Sequence, residues 1–308
     1  MQDGAFATQK RVGTQTRPAF VRQKLRAFLT LARFPYRFQF PILAVLFMMT
    51  FENGVFNIPL LLTGFVVVAL MNAGGCAIND YFDRESDAIM KPDRPIPSGA
   101  ITPAGAAQYS SVVFIVGAAL AYILNPLALT IVAYEIIFLI AYPSLIKRAS
   151  GLLSNVLMGA SAGLIPVFGE AVLFGHITYV SLSCFPILLT GGAGYNAIKD
   201  AKTLKGDLEA GIPTVAAKRG MRAAVNIGCL LLAGYLVAFF LPYVVGVVNI
   251  GYLPAAILSA ALVVYALQSL LRTHDHENVT KQLIKLDISF GLLPVALIAG
   301  IVAAYFIT

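Results

Sequence analysis

At 308 residues the chain has the length of one or two soluble domains, but 58% of it is hydrophobic and only 12% is charged. Soluble chains carry roughly 25% charged residues, so lipid is the solvent for most of this one. The net charge of +7 does not point to nucleic acid, because the basic residues gather beside apolar stretches, where they sit against an anionic leaflet.

The chain opens on a basic segment, residues 1–33, that includes Lys10, Arg11, Arg17, Arg22, Lys24 and Arg26. It lacks the short apolar core of a secretory signal and is expected to be a cytoplasmic tail; a transit peptide would also be basic and acid-poor, but richer in Ser. Residues 34–308 are expected to form a single transmembrane domain. A hydrocarbon core of ~30 Å takes about 20 apolar residues per helix. Such runs fall near 34–51, 56–78, 104–124, 126–146, 152–173, 177–198, 223–245, 250–271 and 287–307. This predicts an all-α, multi-spanning membrane bundle of about nine helices around a central cavity. The connections at 124–126 and 173–177 are short and force antiparallel neighbours.

With a cytoplasmic N-terminus, the cytoplasmic segments are the leader and the loops near 79–103, 147–151, 199–222 and 272–286. All 22 Lys and Arg residues fall there or at the adjoining helix ends, which is the positive-inside pattern. The expected location is a prokaryotic plasma membrane. Cys76, Cys184 and Cys229 lie in apolar stretches without CxxC spacing, so they suggest packing and not a zinc site or disulfide frame.

The carboxylates are unusual. Asn79-Asp80-Tyr81-Phe82-Asp83-Arg84-Glu85-Ser86-Asp87 closes the second span. On a helix Asp80, Asp83 and Asp87 share one face, with Asn79 beside Asp83. Three like charges in low dielectric repel strongly, and a divalent cation would relieve them. Mg²⁺ suits the arrangement, because it takes hard oxygen ligands and binds through one or two carboxylates plus substrate phosphates. A second cluster, Asn196-Ala197-Ile198-Lys199-Asp200 with Asp207, closes the sixth span. A shift of 120 positions lays Asp80 on Asp200, Asp87 on Asp207, Gly74 on Gly194 and Ala77 on Ala197. This is an internal repeat, a common device in membrane proteins whose site lies between the copies. Facing each other across the bundle, the two clusters would cage two Mg²⁺ ions and a diphosphate.

Basic residues complete that cage. Lys91 and Arg94 follow the first cluster in a stretch whose three prolines and glycine exclude a regular helix. Lys199, Lys202 and Lys205 surround the second, and Lys147-Arg148 cap the fourth span. Lys202 and Lys205 serve equally well as membrane-surface anchors. Departure of a diphosphate develops negative charge that Mg²⁺, Lys and Arg stabilise.

Together these residues resemble the UbiA-type intramembrane prenyltransferases. Asn79 to Asp87 is similar to the family's NDxxDxxxD motif, and Arg94-Pro95-Ile96-Pro97-Ser98-Gly99 to its RPIPSG continuation. Tyr142 with Lys147-Arg148 resembles its Tyr…Lys motif. Asp200 and Asp207, followed by Ala210-Gly211-Ile212-Pro213-Thr214, resemble its second aspartate motif. Thr203 and Lys205 stand where related branches often carry acids. The resemblance implies a Mg²⁺-dependent transferase that passes a prenyl group from a polyprenyl diphosphate to an aromatic or lipid acceptor. Its metal would be held by Asp80, Asp83, Asp87, Asp200 and Asp207. Lys147, Arg94 and Lys199 would balance the diphosphate, and Asn79, Lys91, Arg148 and Asn196 would help to bind substrate. Tyr81, Phe82, Tyr142 and Tyr195 lie at the depth where aromatic faces would steady an allylic cation. The RPIPSG and AGIPT segments lean towards the lipid and chlorophyll branches.

Glu135 lies within the fourth span, two turns before Tyr142 and on the same face, so it is a candidate substrate-binding residue. It is either protonated and hydrogen-bonded or set to polarise an acceptor hydroxyl. Glu170 is expected at the far membrane interface, Asn72 and Asn155 on the cavity wall, and His274 and His276 in a solvated loop. Two alternatives remain: a membrane terpene cyclase of the same family, which captures the cation internally, and, of a different class, a lipid or ion transporter. Since the first motif is expected to face a polar cavity, Asp80→Ala should abolish ionisation and leave the fold intact.

Overall fold

The computed structural model describes residues 17–35, 37–52, 56–209 and 211–307; the first 16 residues of the basic leader lie outside them. The rest of the leader forms α1 (Arg17–Leu31), whose Ala27 and Leu31 are buried beside Ala77, Ile96 and Ile101. The bundle then runs α2 (Gln39–Phe51), α3 (Ile58–Phe82), α4 (Arg84–Met90), α5 (Pro103–Leu124), α6 (Pro126–Ala141), α7 (Lys147–Ala149), α8 (Gly151–Phe174), α9 (Tyr179–Glu209), α10 (Val215–Arg219), α11 (Met221–Val244), α12 (Leu253–Arg272) and α13 (His276–Ile307). A π-helical turn, Tyr142–Ile146, carries α6 on into α7.

The nine apolar stretches read from the sequence correspond to α2, α3, α5, α6, α8, α9, α11, α12 and α13. Among the described residues, seven helices are long and apolar enough to cross a membrane. The other two apolar stretches are α2, which is short at 13 residues, and α9, which at 31 residues runs on through the second acidic cluster. The protein is an integral membrane helix bundle.

The helix starts follow from local chemistry. Asn57, Thr102, Asn125 and Thr214 accept hydrogen bonds from backbone N–H groups in the first turns of α3, α5, α6 and α10, at 3.2, 3.0, 2.8 and 3.2 Å, and Pro103 and Pro126 follow two of these caps. The turn between α5 and α6 is the single residue Asn125, in extended geometry, whose amide also donates to the Ala171 carbonyl at 2.7 Å.

Glu170 lies near the far end of α8. It is 2% exposed and caps α9 from the neighbouring helix α8. Its carboxylate accepts from the Thr178 and Ser181 amides at 3.0 and 3.3 Å and from both their hydroxyls. Orphan N–H groups at a buried helix start need such a partner. Glu170→Ala is expected to cost about 1–3 kcal/mol, read as a lower unfolding temperature in detergent.

α8 and α9 touch backbone to backbone. A Cβ on Gly159 would come within 2.2 Å of the Leu189 carbonyl oxygen, the close approach that small residues allow between membrane helices. The positions matched by the 120-residue shift pack in similar ways. Ala77 and Ala197 are fully buried, Gly74 admits Phe114 of α5, and Gly194 admits Leu232 of α11. α3 and α9 therefore pack alike, and their acidic ends line one cavity.

Candidate active site at the mouth of the bundle

α3 ends at Phe82, and α4 starts at Arg84 with Asp83 as the joint between them. The Asp87 amide still donates to the Asp83 carbonyl at 2.8 Å, so the helical path continues through the joint. Asn79 donates to Asp83 at 3.0 Å, as the helical spacing predicts. The proline-rich stretch after α4 is an ordered loop. Ser98 N–H bonds the Arg94 carbonyl at 2.9 Å, and Ile101 N–H bonds the Pro95 carbonyl at 2.9 Å. Gly99 takes a left-handed φ of 74°, a conformation glycine adopts without cost. Buried Ile96 and Ile101 pin this loop against α1. The loop sets Arg94 between Asp80, at 3.0 Å, and Asp87, which it also pairs. Lys91 lies 3.5 Å from Asp87.

From the other motif, Lys147 reaches Asp83 at 2.7 Å, and its charge also acts on Asp207. It therefore pairs with the first acidic cluster within electrostatic reach of the second. Asp207 accepts from Thr203 at 2.8 Å and from Thr214. Asp200 accepts from Asn155 at 2.9 Å and from the Val215 amide. Thr214 and Val215, at the start of α10, thus lie beside these two carboxylates, and Thr203, which stands where relatives often carry an acid, orients Asp207. Asp200 and Asp207 lie beyond the apolar part of α9. Burial pushes the Asp200 carboxyl up to about 6; Asp207 adds to the rise and Asn155 opposes it. Burial also raises Asp207, against the hydrogen bonds from Thr203 and Thr214. Both acids would gain from a neighbouring cation.

These groups open onto a cavity of about 1220 Å³ that runs into the bundle past Phe40, Phe168 and Phe290. That exceeds the roughly 300–1,000 Å³ of an ordinary small-ligand site. Of the site residues predicted from sequence, Asn79, Asp83, Asp87, Lys91, Arg94, Glu135, Tyr142, Lys147, Tyr195, Asn196, Lys199, Asp200 and Asp207 all line it. So do Asn72, Asn155 and Lys202, but Lys205, Tyr81 and Phe82 do not. Tyr81 packs on Phe82 and under Arg84 instead. The Arg148 side chain lies outside the described residues.

Asp80 is also set apart. It is 3% exposed and does not line the cavity, and its carboxylate holds Arg33 at 2.9 Å and Arg94 at 3.0 Å. The expectation that it faces a polar cavity is therefore corrected. Its position in the chain promised exposure, but the arginines cover it. Glu135 accepts from Ser161 at 2.5 Å, while its other oxygen is buried without a partner among the described residues.

Sequence reasoning passed over Arg33 and Arg37, which lie at the end of the basic leader and the start of the first span and looked like membrane anchors. It also passed over Asp287, an acid at the start of the last span that lines the cavity and acts electrostatically on Tyr195. The rule that singled out Glu135, an ionisable group within a span, would have found Asp287.

Among the described residues, no three His, Cys, Asp or Glu side chains converge into a metal site. The donor set still fits a hard cation that shares its coordination with substrate. Asp83, Asp87, Asp200 and Asp207 offer one or two carboxylates from each side of the mouth, and Mg²⁺ asks for no more when phosphate oxygens and water complete its shell.

The model of the UbiA prenyltransferase family matches residues 40–305. The chain belongs to that family. It is an enzyme, a prenyltransferase. It is 35% identical to the digeranylgeranylglyceryl phosphate synthase of Thermococcus kodakarensis, over 77% of this chain and 84% of that protein. With the synthase of the same name from Thermococcus gammatolerans it is 32% identical, over 91% and 99% of the two chains. The fold superposes on a solved digeranylgeranylglyceryl phosphate synthase with a TM-score of 0.78 at 28% identity, covering 91% of this chain and 99% of that one. It is also similar in fold to a UbiA homologue from Archaeoglobus fulgidus, solved with DMAPP and Mg²⁺, with a TM-score of 0.65 at 15% identity.

Proposed function

We propose that this prenyltransferase passes a geranylgeranyl group from its diphosphate to the hydroxyl of a glyceryl phosphate lipid that already carries one such chain, and that it needs Mg²⁺ to do so. The observation that carries the reading is Lys147, bonded to Asp83 of the first motif and acting on Asp207 of the second at the mouth of a cavity roomy enough for two lipids. The relatives supply the acceptor class. A digeranylgeranylglyceryl phosphate is built by adding the second of two chains to one glyceryl phosphate.

In this reading Asp83, Asp87, Asp200 and Asp207 hold the metal, which when bound neutralises the leaving diphosphate. Lys147 and Arg94 add positive charge where negative charge develops. The bond between C1 and the diphosphate oxygen breaks with its electron pair leaving on the diphosphate. The acceptor oxygen then bonds C1, and its proton passes to the released diphosphate. Tyr142 and Tyr195 present aromatic faces to the allylic cation, and the apolar walls keep water from it. The positive-inside pattern supports a cytoplasmic side for this mouth.

The test uses purified protein with geranylgeranyl diphosphate and geranylgeranylglyceryl phosphate, with Mg²⁺ or with EDTA. The expected result is diphosphate release that EDTA abolishes, together with an ether-linked product carrying two chains. Release with a cyclic hydrocarbon as the product would replace transfer with cyclisation, and no release at any prenyl length would overturn the reading.

A further inference from the structure

Gly75, Gly191, Gly192 and Gly291 all line the cavity from within helices. Three of them are small because the bundle packs tightly at their positions. A Cβ would come within 2.8 Å of Leu139 at Gly75, 2.9 Å of Tyr235 at Gly191 and 3.2 Å of the Gly159 backbone at Gly192. Gly291 differs, since a Cβ there would meet nothing within 4 Å. It lies inside α13, where glycine is about 1 kcal/mol less favourable than alanine. Neither packing nor a left-handed backbone asks for a glycine at this position. What the missing side chain leaves is room on the cavity wall.

Along α13, Asp287, Gly291 and Pro294 are spaced i, i+4 and i+7, so they form one stripe, and all three line the cavity. Asp287 is exposed, and no cation pairs with its carboxylate among the described residues. Lys285, two positions before it, holds its ammonium 4.1 Å from the centre of the Tyr265 ring on α12 instead. The ring of Phe290, one turn below Asp287, lies 5.8 Å from the ring of Tyr195 on α9. Tyr195 precedes Asp200 by five residues, about 7.5 Å along the helix. Asp287 therefore stands between the level of Tyr195 and that of Asp200, just below the acidic mouth.

A carboxylate one turn above a gap suits one of the two lipids better than the other. The donor's polar end is a diphosphate, which a carboxylate without a cation repels. The acceptor presents a neutral hydroxyl, which the same carboxylate takes in a charge-assisted hydrogen bond. We propose that the Asp287–Gly291 stripe of α13 seats the lipid acceptor, with Asp287 holding its hydroxyl and the gap at Gly291 letting its chain run against the helix. Asp287 orients the acceptor oxygen towards C1, and the proton still leaves with the diphosphate. The proposal rests on the acceptor reading above and adds to it the residues that position that substrate.

The test compares wild type with Gly291→Ala, Gly291→Leu, Asp287→Ala and Asp287→Asn, using geranylgeranyl diphosphate as donor and geranylgeranylglyceryl phosphate as acceptor. Gly291→Ala is expected to unfold at or above the wild-type temperature, because the helix gains and nothing is displaced. Filling the gap with Gly291→Leu raises the acceptor KM about tenfold to a hundredfold, with Gly291→Ala in between and the donor KM within about threefold of wild type. Asp287→Ala raises the acceptor KM about tenfold. It also lets water capture more of the cation, so a larger share of the released diphosphate is matched by geranylgeraniol in place of the ether. Asp287→Asn, which keeps a carbonyl oxygen, recovers part of both losses; a purely structural aspartate would lower release and transfer together and leave that share unchanged. A donor KM that rises as much as the acceptor KM in Gly291→Leu would give the stripe to the donor and overturn the seat. Wild-type acceptor KM in Gly291→Leu, or an unchanged product share in Asp287→Ala, would overturn it as well. If wild type releases diphosphate but transfers nothing to this acceptor, the acceptor reading itself fails and the seat with it.

Discussion

Asp83→Asn is expected to slow diphosphate release by about a hundredfold to a thousandfold while the protein unfolds within a few degrees of wild type. Asp83 is the carboxylate that joins the first motif to Lys147. It takes the Asn79 amide at 3.0 Å within its own motif and Lys147 at 2.7 Å from the opposite wall. The asparagine keeps the shape and the hydrogen bond to Asn79's side of the joint but removes the charge that a metal and Lys147 both require. The stability cost stays small because the pair is partly solvated, with side-chain exposures of 25% and 17%, and ion pairs near water contribute about 1 kcal/mol or less. Single-turnover release of diphosphate from a preformed donor complex isolates the step. A rate within threefold of wild type would remove Asp83 from the ionisation machinery.

Much of the molecule was legible because membranes impose simple rules. Apolar run length fixed where α3, α5, α6, α8, α11 and α12 lie, and helical spacing placed Asn79 beside Asp83. The prolines at 92–97 exclude a regular helix, and the structure has turns there. Long-range partners left no such mark. Arg33 and Arg37 are i, i+4 cations at the edge of a basic leader, a pattern that fits surface anchoring as well as it fits a site. Only the return of α1 onto α3 brings Arg33 to Asp80, 47 positions away. The capping role of Glu170 was hidden for a related reason. Depth along a span says how far a residue is from the membrane centre, but not that a neighbouring helix starts beside it and needs an acceptor for its first N–H groups. The joint at Asp83 is legible only in hindsight, because three acids on one face read as an unbroken helix whether or not the axis bends beneath them.

Asp80→Ala is expected to lower both stability and rate, which separates it from Asp83→Asn. Asp80 is the only carboxylate partner of Arg33 among the described ion pairs, and it shares Arg94 with Asp87. Removing it strands a guanidinium whose side chain is only 27% exposed. Breaking one half of a largely buried pair costs roughly 2–3 kcal/mol, somewhat under the fully buried figure. Arg33 also sits at a left-handed φ of 54°, a backbone state that persists only where surrounding contacts enforce it. Without its anchor, the α1–α2 junction and the Arg94 loop should loosen together. The unfolding temperature falls, and transfer drops because Arg94 is no longer held beside Asp87. Pairing the change with Arg33→Ala tests the cause. If Asp80 acts by clamping the arginines, the double variant loses much less stability than the two single changes added together, and the Mg²⁺ concentration for half-maximal rate stays near that of wild type. If Asp80 instead ligates metal directly, that concentration rises steeply while the unfolding temperature holds, and the arginines would have to swing aside whenever the metal binds.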